Sequence, residues 1–404
     1  MSTLPRTRIA IVGAGAAGCF VAANLGRMAP GVDVTLFEAG PKPMAKLAIT
    51  GGGRCNITNS FEGIRSLKEA YPRGESVMKR ALKEFSQHDT VRWFQDAGVP
   101  LTLQEDHCWF PVSQNAMDVV HCLERNMSSA HLRLSTPVTS IAPGTPSVMP
   151  GLTGHLINGE PFDIVVITTG GAVKGIHFLQ DIETVPPVPS LFTFKIEDKN
   201  LRSLMGIVVE AAVSIPGAGF KASGPLLVTD WGLSGPATLK LSSYAARYLA
   251  ENGYKAPLAV NWMNSTEAEV RKILQDNVSE SPQKQIKSTH ILPARLWEHI
   301  VRRAGLREDI RWAELGNKGM NKLVATLTSD NYFIEGKSKF REEFVTCGGV
   351  SLEEVSLSSL ESKKHPGLYF AGEVLDIDAI TGGFNLQAAW STGYVVARSI
   401  SKGL

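Results

Sequence analysis

Four short stretches of this chain carry residue types that could handle an extended, phosphorylated ligand. The first, Gly13-Ala14-Gly15-Ala16-Ala17-Gly18, has the spacing Gly-x-Gly-x-x-Gly. The first glycine of such a turn permits a tight bend, the second lets a pyrophosphate approach the backbone, and the third lets a helix pack on a strand. The N–H groups and dipole of the following helix would then hold the phosphates. Glu38, twenty residues after Gly18, is placed to accept hydrogen bonds from a ribose, and Ala39 follows it at the same site. The Glu38 charge would repel a 2′-phosphate.

The second stretch is Gly51-Gly52-Gly53-Arg54-Cys55-Asn56-Ile57-Thr58-Asn59. Three glycines in a row are not core packing. They imply a backbone conformation, or a close approach, that side chains forbid. Arg54 brings a permanent charge, and Asn56, Thr58 and Asn59 bring directional polarity. The loop reads as lying against a ligand's ring or phosphates; a solvated surface turn is the plainer alternative. Cys55 has no second cysteine nearby, so it reads as a small filler and not as a redox partner.

The third stretch, Val166-Ile167-Thr168-Thr169-Gly170-Gly171, is an apolar strand ending in glycines, which is where an open α/β sheet receives ligand. The fourth runs from Gly372-Glu373-Val374-Leu375-Asp376-Ile377-Asp378 to Thr381-Gly382-Gly383-Phe384-Asn385-Leu386-Gln387. Its acids suit ribityl hydroxyls. Its double glycine opens a helix whose positive end would stabilise an anionic reduced ring. Glycine turns at both ends of the chain imply that the termini meet around one flavin dinucleotide.

Elements that position these stretches can be read from the apolar pattern. Residues 8–12, 32–37 and 162–169 read as buried strands, with a small-residue helix to residue 28 completing a βαβ unit. Residues 76–97 read as one amphipathic helix, 116–127 as another, and 132–141 as a strand. The proline run at 185–189 reads as a strand-hostile connector. Residues 190–241 resemble a small antiparallel β module. Helices follow, the first opened by the capping box of Thr266 and Glu269. A short strand at 368–371 and a final helix at 386–400 return to the α/β pattern. The domain division expected is 1–189 with 341–404 around an insert of two parts, 190–262 and 263–340, the second sending back one strand.

Composition narrows the class. The chain has 404 residues, 43% hydrophobic and 20% charged, with a net charge of +2. That balance favours a soluble protein and does not favour nucleic acid as a partner. The five scattered cysteines fit a reducing cytoplasm, and no apolar run is long enough to span a membrane. The nine histidines show no metal-ligand spacing, so no metal is expected. No catalytic residue and no oligomeric state can be assigned.

As a set, these motifs resemble the HI0933-like (YhiN/BaiN) family of FAD-dependent oxidoreductases. The resemblance rests on Val12 to Gly18, Lys46 with Gly51 to Asn59, Phe110-Pro111-Val112-Ser113, Leu233-Ser234-Gly235-Pro236, Thr346-Cys347-Gly348-Gly349-Val350 and Gly367 to Gly393. It implies a Rossmann-like FAD-binding domain of the two-dinucleotide-binding-domain type, interrupted by an insert with a β-barrel part and a helical part. It further implies that Lys46 belongs to the cofactor site and that Val138 touches the adenine through its backbone. The chain departs from the family pattern after Gly171, where a longer glycine-rich stretch is usual, and at Cys108-Trp109, where arginine often precedes Phe-Pro.

The activity expected is hydride transfer between flavin N5 and a small organic substrate, with Arg54, Asn56 and Asn385 orienting the ring. An NAD(P)H-fed reductase of an unsaturated or carbonyl compound is the first form. No second Gly-x-Gly-x-x-Gly is present, so NADH or NADPH would dock only transiently. An oxygen-using amine or amino-ketone oxidase is the second form. A flavin-binding RNA-modification or assembly protein is a third, of another class, and would use Lys284, Lys287, Arg295, Arg302, Arg303 and Arg307.

Overall fold

The computed structural model describes residues 6–147, 149, 153–171, 181–337 and 345–404. The chain divides into two units, Met1–Val188 with Val345–Leu404, and Pro189–Phe344.

The first unit is built on a five-stranded parallel sheet in the order Leu368–Phe370, Ile164–Ile167, Arg8–Val12, Asp33–Phe37, His131–Arg133. The central strands are apolar and rich in β-branched residues, and almost wholly buried, as a sheet covered on both faces requires. The C-terminal ends of the three strands Arg8–Val12, Ile164–Ile167 and Leu368–Phe370 lie side by side, so the glycine-bearing turns that follow them meet at one edge. The first helix, Ala16–Met28, returns along the sheet. Its small residues let it come very close: a Cβ on Gly18 would sit 2.0 Å from the Gly13 carbonyl oxygen. The last helix, Phe384–Gly403, packs against it, with Gly393 facing the Ala17 carbonyl. Trp390 and Phe20 lie 5.1 Å apart, and Phe20 and Trp93 4.7 Å apart, in an aromatic core under both helices.

Three local expectations differ from the structure. Residues 76–97 form two helices, Glu75–Glu84 and Gln87–Asp96, because Ser86 and Asp89 make a capping box that starts the second. The strand expected at 132–141 is two short ones, His131–Arg133 and Ile141–Pro146. The proline run is itself a strand, Thr184–Ser190, paired with Val345–Val350. Prolines cannot donate, but at a two-stranded edge their carbonyls still fit. Gly348 makes room, since a Cβ there would lie 2.7 Å from the Pro186 oxygen.

The second unit holds a seven-stranded antiparallel sheet in the order 330–334, 256–261, 208–215, 220–228, 232–234, 194–195, 336–337. Its two edge strands, Asp330–Ile334 and Gly336–Lys337, are consecutive in the chain, so the sheet curls until its edges meet. Strands come from both sides of residue 262, two of them after the helices. Helices Glu267–Glu280, Ala294–Arg303 and Gly316–Thr328 share one core with the sheet, around the fully buried Trp262, Trp297 and Trp312.

Gly18→Ala would drive a methyl group into backbone that cannot yield. Urea unfolding should show a loss of about 1–3 kcal/mol, the usual cost of overpacking; an unchanged midpoint would show that the helix shifts freely.

Candidate functional site

The site is assembled from the turns at the C-terminal edge of the parallel sheet. At Gly13 the backbone takes φ 105°, and a Cβ there would meet the Thr168 oxygen at 2.6 Å. Gly15 is different. A Cβ on it would meet nothing within 4 Å, and no side chain caps the helix it opens. The packing of the protein therefore does not require glycine here; what the residue leaves is open space before uncapped N–H groups, a cradle for an anion. The Glu38 carboxylate accepts from the Ala14 N–H at 3.0 Å and the Gly40 N–H at 2.8 Å, which fixes it beside the turn. Ala39 is exposed next to it, and Lys46 is exposed on the short helix Ala45–Ile49. Val138 is half-buried in a segment held by Asn158, which donates to the Pro137 carbonyl at 3.0 Å and accepts from the Thr139 N–H at 2.9 Å.

The third stretch meets the fourth directly. Gly171 lies against Thr346 and Glu373, and Glu373 accepts from the Thr346 N–H at 2.8 Å. Gly170 is also beside Glu373, and a Cβ on Gly372 would touch that of Ala17 at 2.8 Å. The Thr169 hydroxyl is buried with no hydrogen-bond partner among the described residues. An orphaned buried hydroxyl at this edge is costly unless a ligand satisfies it.

The glycine loop takes left-handed backbone at Gly51, Gly52 and Gly53, with φ of 60°, 69° and 82°, and again at Cys55. Cβ atoms on Gly52 and Gly53 would strike nothing, so backbone rotation, not crowding, demands these glycines. Arg54 is exposed, with its guanidinium 4.5 Å above the Phe110 ring and Gln114 at 3.5 Å. No carboxylate faces it among the described residues. Cys55 is buried, and burial pushes its thiol up to about 12; Cys108 is likewise pushed up to about 11, chiefly by burial.

Several predicted residues spend their side chains inside the protein. In the orientation that satisfies both ends of its amide, Asn56 donates to the Thr58 carbonyl at 3.0 Å and accepts from the Gly383 N–H at 3.2 Å. Asn385 accepts from the Ala379 N–H at 2.9 Å and donates to its carbonyl at 3.0 Å. Gln387, fully buried, accepts from Thr58 at 2.5 Å and donates to Ser391 at 2.8 Å. Asn56 thereby ties the glycine loop to the C-terminal turn, and Asn385 ties Ala379 of that turn to the start of the last helix. Leu386 is half-buried in the first turn of the last helix, and Asp376 is half-buried in the turn before it.

Arg73, which pairs with the wholly buried Asp378, escaped the sequence reading, and Thr346, named there only within the resemblance, backs Gly171. Arg73 and Asp378 are 305 positions apart, and only the Tyr71-Pro72-Arg73-Gly74 turn hinted at structure there. Of the basic face, Arg303 is engaged by Asp198 at 3.2 Å and by Asp330, and Arg307 by Glu314 at 2.9 Å. No group of three or more metal-ligating side chains lies together, and no helix is long and apolar enough to cross a membrane, among the described residues.

The open cradle at Gly15, the placed carboxylate of Glu38 and the orphaned Thr169 hydroxyl all fit an FAD that runs along this edge. A dinucleotide turn and a C-terminal glycine turn on one parallel sheet define an FAD-dependent oxidoreductase of Rossmann type. The chain belongs to the family described as HI0933-like protein Rossmann domain, which matches residues 7–399. It is 29% identical over 411 residues to the ribosomal RNA dihydrouridine synthase of Escherichia coli (strain K12), covering 96% of this chain and 97% of that one. It is 27% identical over 417 residues to the 3-dehydro-bile acid delta(4,6)-reductase of Clostridium scindens, covering 98% and 99%. A ribosomal RNA dihydrouridine synthase of Haemophilus influenzae is 29% identical, with 97% and 98% covered.

Gly15→Val should leave unfolding free energy within about 1 kcal/mol of the parent while weakening FAD binding at least about tenfold, or 1.4 kcal/mol; fluorescence titration of the stripped protein reads this, and unaltered affinity would remove the cradle. At pH 8 the Cys55 thiol, with its value near 12, is ionised to only about one part in ten thousand. Iodoacetamide should leave it unmodified in the folded protein and label it after denaturation, as peptide mass mapping would show.

Proposed function

We propose that this enzyme reduces a carbon–carbon double bond conjugated to a carbonyl in a small organic substrate, drawing on NADH or NADPH. The observation that carries this reading is end-to-end relationship to enzymes named for two reductions of one chemical kind. A 3-dehydro-bile acid delta(4,6)-reductase and a dihydrouridine synthase, by name, each add hydrogen across a ring double bond. In a 3-oxo steroid and in uracil alike, that bond is in conjugation with a ring carbonyl.

When bound, FAD supplies the hydride-transfer centre. The chain's own part is placement and electrostatics. The last helix begins after Gly383 with no side-chain cap, so its positive end favours negative charge at the adjoining turn. Arg54 presents an exposed, always-charged donor suited to polarising a substrate carbonyl, with Phe110 fixing its plane. The buried Cys55 supplies no thiolate at neutral pH, which disfavours a thiol relay.

The names of two relatives favour a second reading, in which the conjugated bond belongs to a uridine of RNA. The pairing of Arg303 and Arg307 with acids weakens the basic face that such a substrate would use.

Anaerobic stopped-flow mixing tests the proposal. NADH or NADPH should bleach the flavin band, and a cyclic enone should restore it. No bleaching by either nucleotide, together with amine-dependent oxygen uptake, would replace this reading with the oxidase. Reoxidation by a uridine-containing RNA, and not by small enones, would favour the second.

A further inference from the structure

We propose that Arg73 is a positioning residue of the cofactor site, acting through Asp378 on the turn 376–383. This rests on the reading of that turn as the flavin-facing side. Arg73 donates from Nε and Nη2 to the two carboxylate oxygens of Asp378, a fork-on-fork pair. The Asp378 side chain is 0% exposed and that of Arg73 16%.

The pair does not stand alone. Arg73 and Asp378 also form an antiparallel backbone bridge, and the Ile380 N–H donates to the Ala70 carbonyl at 2.9 Å. The Tyr71 hydroxyl donates to the Phe384 carbonyl at 2.9 Å, at the first residue of the last helix. A Cβ on Gly74 would lie 2.6 Å from the Ile377 side chain. Phe61 meets Phe384 edge-on at 5.0 Å. Residues 70–74 thus form a buttress behind the turn that carries Asp376 and leads into the uncapped helix start.

An ion pair is a costly way to fill a buried place, and apolar residues of the same size commonly stabilise as well or better. What a bidentate fork adds is orientation: it fixes the carboxylate in translation and in rotation, and with it the backbone on either side. Stability alone does not call for this pair. A turn that must hold its N–H groups and Asp376 at set positions toward a flat ring does.

The test uses Arg73→Lys and the double variant Arg73→Met/Asp378→Leu, purified full-length and stripped of flavin. Thermal melting is recorded with and without FAD, alongside FAD titration and visible circular dichroism of the bound flavin. The double variant should melt like the parent without FAD, bind FAD at least about tenfold more weakly, and show a smaller FAD-induced rise in melting temperature. Arg73→Lys, with a charge but no fork, should fall between the two. Parental affinity and dichroism in the double variant would overturn the proposal, leaving the pair as fold support only. If the double variant does not fold, parental affinity and dichroism in Arg73→Lys overturn it equally. A parent protein that takes up no FAD would overturn the cofactor reading itself, and this proposal with it.

Discussion

The site depends first on how closely the helix Ala16–Met28 can approach its surroundings. Gly18 meets the Gly13 carbonyl, Ala17 meets Gly372, and Gly393 of the last helix meets the Ala17 carbonyl. At each contact a side chain of ordinary size would hold the partners apart. Because the helix lies this close, its N-terminal N–H groups open onto the space beside Gly15, and the C-terminal turn is brought to the same edge. One packing constraint therefore brings the N-terminal and C-terminal glycine turns to one edge.

The glycine loop is attached to that frame by buried polar links. Thr58 donates to Gln387, Gln387 to Ser391, and Ser391 to the Phe85 carbonyl at 2.7 Å. Trp390 donates to the Ile57 carbonyl at 3.0 Å, and Asn59 to that of Gly382 at 3.0 Å. In a low-dielectric interior such links are costly to break, so they hold the loop to the start of the last helix. This leaves Arg54 as the loop's exposed charged side chain, held over Phe110.

Much of this could be read in advance where the signal is local. The dinucleotide turn, the buried strands and the Thr266 capping box follow from spacing over a few residues. The expectation fails where two local signals compete. The apolar stripe through 76–97 hides Ser86 and Asp89, a cap written in the same residues. The prolines at 186, 187 and 189 speak against a strand, yet Val345–Val350 makes them one by approaching at Gly348. Spacing near a ligand motif also does not reveal that Asn56 and Asn385 bond backbone groups and Gln387 the hydroxyls of Thr58 and Ser391.

By itself the sequence pointed to a dinucleotide cofactor, because phosphate binding by a helix end needs only a strand and three spaced glycines, and ribose binding an acid after the next strand. Those are short-range features carried by backbone geometry. Only the tertiary structure showed which polar side chains are committed to the frame. That choice depends on partners hundreds of residues away, as Arg73 on Asp378 and Thr58 on Gln387 show. Burial then sets its value, since a hydrogen bond removed from water must be made within the protein or left for a ligand to complete.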